Sequence, residues 1–186
     1  MATTTLPPPS LVSADDFLKL HGDESGVELV NGVITRLPMP GNNHGVISGN
    51  AYHYVREVVK GGNLGRVMCN DSFVRTTPTG VRGADVSYIS YSLLPADLPT
   101  PVGTITPPLE LVIEVRSPTD SYKSLVDKAN EHLSAGVTVV VVIDPETESL
   151  GVFRLNELPI RFHNGDVVVL PDILPGFAVP VAKFFE

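Results

Sequence analysis

Glu114 is the residue from which the chemistry of this chain can be reasoned. It lies in Leu109-Glu110-Leu111-Val112-Ile113-Glu114-Val115-Arg116-Ser117-Pro118, a run of β-formers with the composition of a strand buried on both faces. Side chains alternate along a strand, so Leu111, Ile113 and Val115 take one face, and Glu110, Val112, Glu114 and Arg116 the other. A carboxylate there needs a partner, because an isolated charge in a low dielectric is strongly disfavoured. Asp85 is the candidate. It opens a strand whose apolar residues are Val86 and Ile89, and a proline-dotted loop, 94–108, joins that strand to Glu114's. Two carboxylates about 4 Å apart repel by about 4 kcal/mol at an effective dielectric near ~20, equivalent to about 3 pKa units. Either one carries a proton or a cation sits between them. A hard cation such as Mg²⁺ suits oxygen donors and keeps several waters. Held there, it would make a bound water a better nucleophile and polarise a phosphoryl oxygen.

Such a site also wants a positive side chain. Arg116 shares Glu114's face, although it could equally pair with Glu114 or Glu110. Lys128 comes from the following helix, about 115° from the centre of its apolar stripe at about 100° per residue, within reach for a long side chain. Lys123 borders the other side of the same stripe, so spacing alone does not choose between the two lysines.

The elements that must position these residues follow in order. Ser13 caps a short helix ending near His21-Gly22, with Asp15 and Asp16 in its first turn. Val27–Val30, Asn31-Gly32 and Val33–Leu37 read as a hairpin on a favoured two-residue turn. A helix is expected from about His44 to Lys60, stopped by Gly61-Gly62-Asn63. Strands are predicted at Gly65–Cys69, Phe73–Thr76 and Asp85–Ser90, before the Glu114 strand. The second amphipathic helix spans about Tyr122 to Ala135, with Tyr122, Leu125, Val126, Ala129 and Leu133 as its stripe. Val137–Ile143 reads as a central strand, followed by strands at Leu150–Leu155, Ile160–His163 and Val167–Leu170, and a packed coil from Pro171 to Glu186. This order implies an α+β or mixed α/β fold, a mixed sheet flanked by helices. Residues 1–10 read as a flexible leader and 11–186 as a single domain.

Composition sets limits. No apolar run approaches a membrane span, and the N-terminus lacks a signal peptide's basic start and apolar core. One cysteine, Cys69, permits no internal disulfide, suits a reducing cytoplasm, and reads as a small core residue. A net charge of −8 weighs against nucleic acid as a partner, but a local cation can reverse the sign at a site. His44 reads as a helix-start residue, with a role at the cleft as the alternative. His53, His132 and His163 show no ligand spacing and read as surface or packing residues.

The pattern Val27-Glu28-Leu29-Val30-Asn31-Gly32-Val33, His44, Asp85-Val86, Leu111–Pro118, Lys128, Ala135-Gly136-Val137 and Ile143-Asp144-Pro145 resembles the Uma-type putative restriction endonuclease family, within the PD-(D/E)xK nuclease superfamily. The likeness runs from about Leu11 to Phe185. It implies a restriction-endonuclease-like core and a Mg²⁺-dependent endonuclease hydrolysing DNA, with Mn²⁺ as a substitute metal. The implied ligands are Asp85 and Glu114, and Glu28 matches the acid that the superfamily often uses near its N-terminus. Two positions depart from the pattern. Ala84 stands where the superfamily has proline, and Arg116 where it has lysine. Arginine neither deprotonates nor offers lysine's donor geometry, so the resemblance moves the lysine's role to Lys128 and leaves Arg116 as a catalytic candidate beside it.

The Arg116 exchange and the acidic surface support an alternative, a catalytically inactive member of the fold that binds DNA or protein. A glycosidase using the Asp85/Glu114 pair has suitable residue types, but no tryptophan is present to stack on a sugar. A nuclease that cuts two antiparallel strands is expected to act as a homodimer.

Overall fold

The computed structural model describes residues 11–106 and 108–186; the leader expected at 1–10 lies outside the described residues. The first helix, α1 (Ala14–His21), starts at Ser13, whose hydroxyl accepts from the Asp16 amide. β1 (Val27–Val30) and β2 (Val33–Arg36) form the expected hairpin. Asn31 and Gly32 both have positive φ, as a turn matched to strand twist requires. α2 (Asn42–Gly61) begins two residues earlier than expected, so His44 falls in its first turn.

β3 (Gly65–Thr77) is one long strand rather than the two predicted. It pairs with β4 (Gly80–Ser90), and three steps along β3 from Cys69 to Ser72 match two along β4 from Val86 to Ala84. The extra residue is a β-bulge at Asn70-Asp71, both with positive φ. Polar residues at 70–72 read as a break in sequence, yet the ladder continues through them. Cys69, next to the bulge, is exposed, which corrects its reading as a core residue.

β5 (Leu111–Val115), β6 (Val139–Asp144), β7 (Ser149–Phe153) and β8 (Ile160–Phe162) complete the main sheet, in the order β2-β1-β4-β5-β6-β7-β8 with β3 also on β4, and the helix α3 (Tyr122–Ser134) lies between β5 and β6 in sequence. β5 and β6 are parallel and joined through α3; the other pairs are antiparallel. The tail is more regular than the expected coil. β9 (Val167–Val169) pairs with β10 (Ala178–Pro180), and a short 3-10 helix follows at Val181–Phe184. The tail's Val168, Leu174, Phe177 and Phe184 are apolar enough to need burial, and they pack with α2 on one side of the sheet.

Strand alternation divides the core. Leu111, Ile113 and Val115 of β5 pack with Ile47, Ala51 and Val55 of α2. Val112 packs with Leu125, Ala129 and Leu133 of α3 on the opposite face. Glu114, in phase with Val112, therefore points to α3. Among the described residues, no helix is long and apolar enough to cross a membrane.

Candidate active site

The site occupies a gap in the sheet. One edge of β4 is paired with β3 along its length. The other edge meets β1 at Val81 and β5 only from Val86 to Tyr88. Between those two contacts, around Gly83 and Asp85, side chains replace the missing ladder. Glu28 accepts from the Gly83 amide at 3.0 Å, Lys128 donates to the Gly83 carbonyl at 3.0 Å, and Asp85 accepts from the Val115 amide at 2.7 Å. Backbone groups must find partners somewhere, and here the partners are charged. The result is a cleft of about 360 Å³.

The β4–β5 register pairs Val86 with Ile113, so the next step along the ladder sets Asp85 opposite Glu114. Asp85 Oδ2 also lies 3.3 Å from His44 Nε2, and that nitrogen is 3.1 Å from the Val115 carbonyl. The hydrogen bond to Asp85 raises the pKa of His44 against the opposing effect of burial. His44 thus joins the site from the start of α2, and Ser48, one turn on, lies 3.3 Å from its Nδ1.

Glu114 is buried and both its oxygens are engaged: Oε2 by Lys128 at 2.8 Å, Oε1 by His132 at 3.0 Å. Lys128 also reaches Glu28 at 3.1 Å. Burial alone would lower the Lys128 pKa, but attraction to Glu114 and Glu28 outweighs it and pushes the ammonium well above its usual value. It donates hydrogen bonds to Glu114 and the Gly83 carbonyl and forms an ion pair with Glu28. Lys123, the other lysine bordering the α3 stripe, is exposed and pairs with Asp127.

Glu28 is buried, not an exposed hairpin acid. Burial opposes its charge, but Lys128 and Arg82 keep its pKa below the usual value. Both its oxygens take hydrogen bonds, Oε2 from Arg82 and Oε1 from the Gly83 amide, and Lys128 forms an ion pair with Oε1. Arg82 in turn grips Glu131 through two 2.7 Å bonds. Glu28 therefore fixes Lys128 and the edge of β4.

Arg116 goes elsewhere. Neither of the pairings expected for it, to Glu114 or Glu110, is made. Its guanidinium meets Asp144 at 3.2 Å, Glu146 at 2.5 Å and the Asp120 carbonyl at 3.2 Å. β5 lies between β4, which carries Asp85, and β6, which ends at Asp144; beyond the end of β5, Arg116 leans toward β6. Glu110 lies at the far end of the strand, accepting from the Ser90 amide.

Besides Arg82 and Glu131, two acid–base residues at the site escaped the sequence reading. His132 is fully buried against Glu114, not a packing or surface residue. Its position four after Lys128, on the same helix face, was the available signal. Asp71 lines the cleft from the β3 bulge, where burial and repulsion by Asp85 push its carboxyl up. Asn-Asp, the pair that best tolerates left-handed backbone, was the clue there.

The donor set fits a hard divalent cation. Among the described residues no three His, Cys, Asp or Glu side chains are grouped so as to hold a metal ion, but Mg²⁺ commonly takes one or two carboxylates and completes its shell with water. Asp85 and the Val115 carbonyl already converge on one polarised N–H of His44. Glu114 would be free to join them once Lys128 releases Oε2.

The match to the model of Uma2, described as "Putative restriction endonuclease", covers residues 14–182. The chain belongs to the Uma2 family. Among solved structures, a crystal structure described as a putative nuclease belonging to DUF820 from Anabaena variabilis ATCC 29413 superposes with a TM-score of 0.82 at 21% identity, covering 94% of this chain and 97% of that one. At that identity the likeness speaks for the fold, and it agrees with the mixed sheet and flanking helices described above. No curated protein matches the chain. The family's description and this fold make the chain a restriction-endonuclease-like protein of nuclease type.

Proposed function

We propose that this Uma2 protein is a divalent-metal-dependent endonuclease acting on DNA, with Asp85 and Glu114 as metal ligands and Lys128 as the assisting cation. The observation that carries this reading is the gap in the sheet. There, the β4–β5 register aligns two carboxylates and Lys128 reaches one of them from α3. A metal bound there supplies Lewis-acid polarisation of a phosphoryl oxygen and a more acidic water.

The chain's own residues do the rest. The Val115 amide and His44 hold Asp85 through Oδ2. Lys128, an ammonium group lining the cleft, serves by stabilising the negative charge that develops on the phosphoryl oxygens. Glu28 anchors it from behind. Hydrolysis consumes one water, breaks one P–O bond, and leaves a phosphomonoester and an alcohol. Mg²⁺ is the proposed metal, with Mn²⁺ able to replace it. Two copies acting together would cut both strands, and the cytoplasm, where Cys69 stays reduced, is the proposed location.

Cleavage of plasmid DNA with Mg²⁺ or Mn²⁺ tests the assignment against Asp85→Ala and Glu114→Ala. Both variants are expected to be inactive, and activity that survived both would sink it. A second reading, a non-catalytic member that binds DNA or protein, draws on Lys128 being held by Glu114, Glu28 and the Gly83 carbonyl and on Arg116 being turned toward Asp144. Calorimetry that detected no divalent binding at millimolar concentration would favour it.

A further inference from the structure

His132 carries out none of the chemistry above, yet it is fully buried in α3 and its Nε2 lies 3.0 Å from Glu114 Oε1. Its Nδ1 is buried with no hydrogen-bond partner among the described residues. Facing a carboxylate oxygen, Nε2 is the donor of that contact.

Glu114 is therefore held by two side chains of one helix, one turn apart and of opposite character. Lys128 is long and lines the cleft; His132 is short and enclosed, and is not part of the cleft wall. Only the Lys128 contact is open to the cleft. We propose that His132 is the positioning residue that fixes the Glu114 carboxylate by Oε1. Oε2 is thereby kept aimed at the cleft, where Lys128 exchanges for a divalent cation. This rests on the reading of Glu114 as a metal ligand.

Calorimetric titration with Mn²⁺ tests it by comparing wild type, His132→Gln and His132→Asn, each checked for native secondary structure. Gln sets its amide nitrogen near the position of Nε2, whereas Asn reaches only as far as Nδ1. Gln should hold affinity within about 3-fold, and Asn should lose about 10- to 100-fold, the usual effect of removing a ligand's supporting hydrogen bond. Wild-type affinity in Asn, or equal losses in both variants, overturns positioning alone. A wild-type protein that binds no Mn²⁺ overturns the metal assignment together with the role built on it.

Discussion

Two cations flank the same strand and are used in opposite ways. Arg116 is two residues from Glu114 in sequence, yet its charge goes to Asp144 and to the exposed Glu146. Lys128 is a helix away in sequence, and it touches Glu114, Glu28 and the edge of β4 at once. Nearness along the chain decided neither pairing. Strand β5 ends at Val115, and past its end the chain is free to lean toward β6. α3, in contrast, lies flat on the face to which Glu114 points, and it delivers Lys128 and His132 from successive turns. The lysine cluster is buried and mutually dependent, while the arginine cluster sits at the rim. The two should respond differently to perturbation.

The largest difference should appear in activity. Lys128→Ala is expected to lower the rate of metal-dependent plasmid cleavage about 10²- to 10³-fold, the usual cost of losing one transition-state stabiliser. Arg116→Ala should leave that rate nearly unchanged. Equal losses in the two variants would reassign the cation. In stability, Lys128→Met leaves Glu28 and Glu114 buried without their shared counter-ion and should lower unfolding free energy in urea by about 3 kcal/mol. Arg116→Ala, in the partly exposed cluster, should cost much less than Lys128→Met in the same titration.

Gly83→Ala probes the wall between the bulge and the cleft. A Cβ there would stand 3.2 Å from the Asp71 Cβ, so the bulge must shift, and a loss of about 1–3 kcal/mol is expected. A neutral result would mean that the bulge yields freely and that Asp71 is not rigidly aimed.

An exposed pair far from the cleft gives the baseline. The Asp172 carboxyl, hydrogen-bonded by Arg154, is held below its ordinary 3.8. A depressed folded value means that stability is present above about pH 4 and is lost as pH falls through the lower folded value. Asp172→Asn should therefore cost about 0.3 kcal/mol near neutral pH, given the exposure of the pair, and nothing once both states are protonated. Urea titrations at pH 7 and pH 2.5 measure this. A loss as large as that in Lys128→Met would erase the distinction between buried and rim networks.

Much of the fold was legible before the tertiary structure. Ser13, Asn31-Gly32 and Gly136 mark their boundaries by local backbone demands, and the 3.6- and 2-residue periodicities located the helices and β5. The misses share a cause. The Asn70-Asp71 bulge looks like a chain break because its polar residues are there for backbone conformation, not burial. β10 was overlooked because three residues, one of them a proline, make a strand only when β9 is already alongside.

The sequence by itself determined the family, the strand and the acidic residues on it, because alternation and local propensity act over a few residues. Only the tertiary structure decided which charge meets which. It turned Arg116 away and brought in His44, Asp71 and His132. It also showed that side chains fill the gap along β4 in place of a strand. Those outcomes depend on how separate elements stack and on which backbone groups are left without partners, and neither is written in the spacing of residues along one segment.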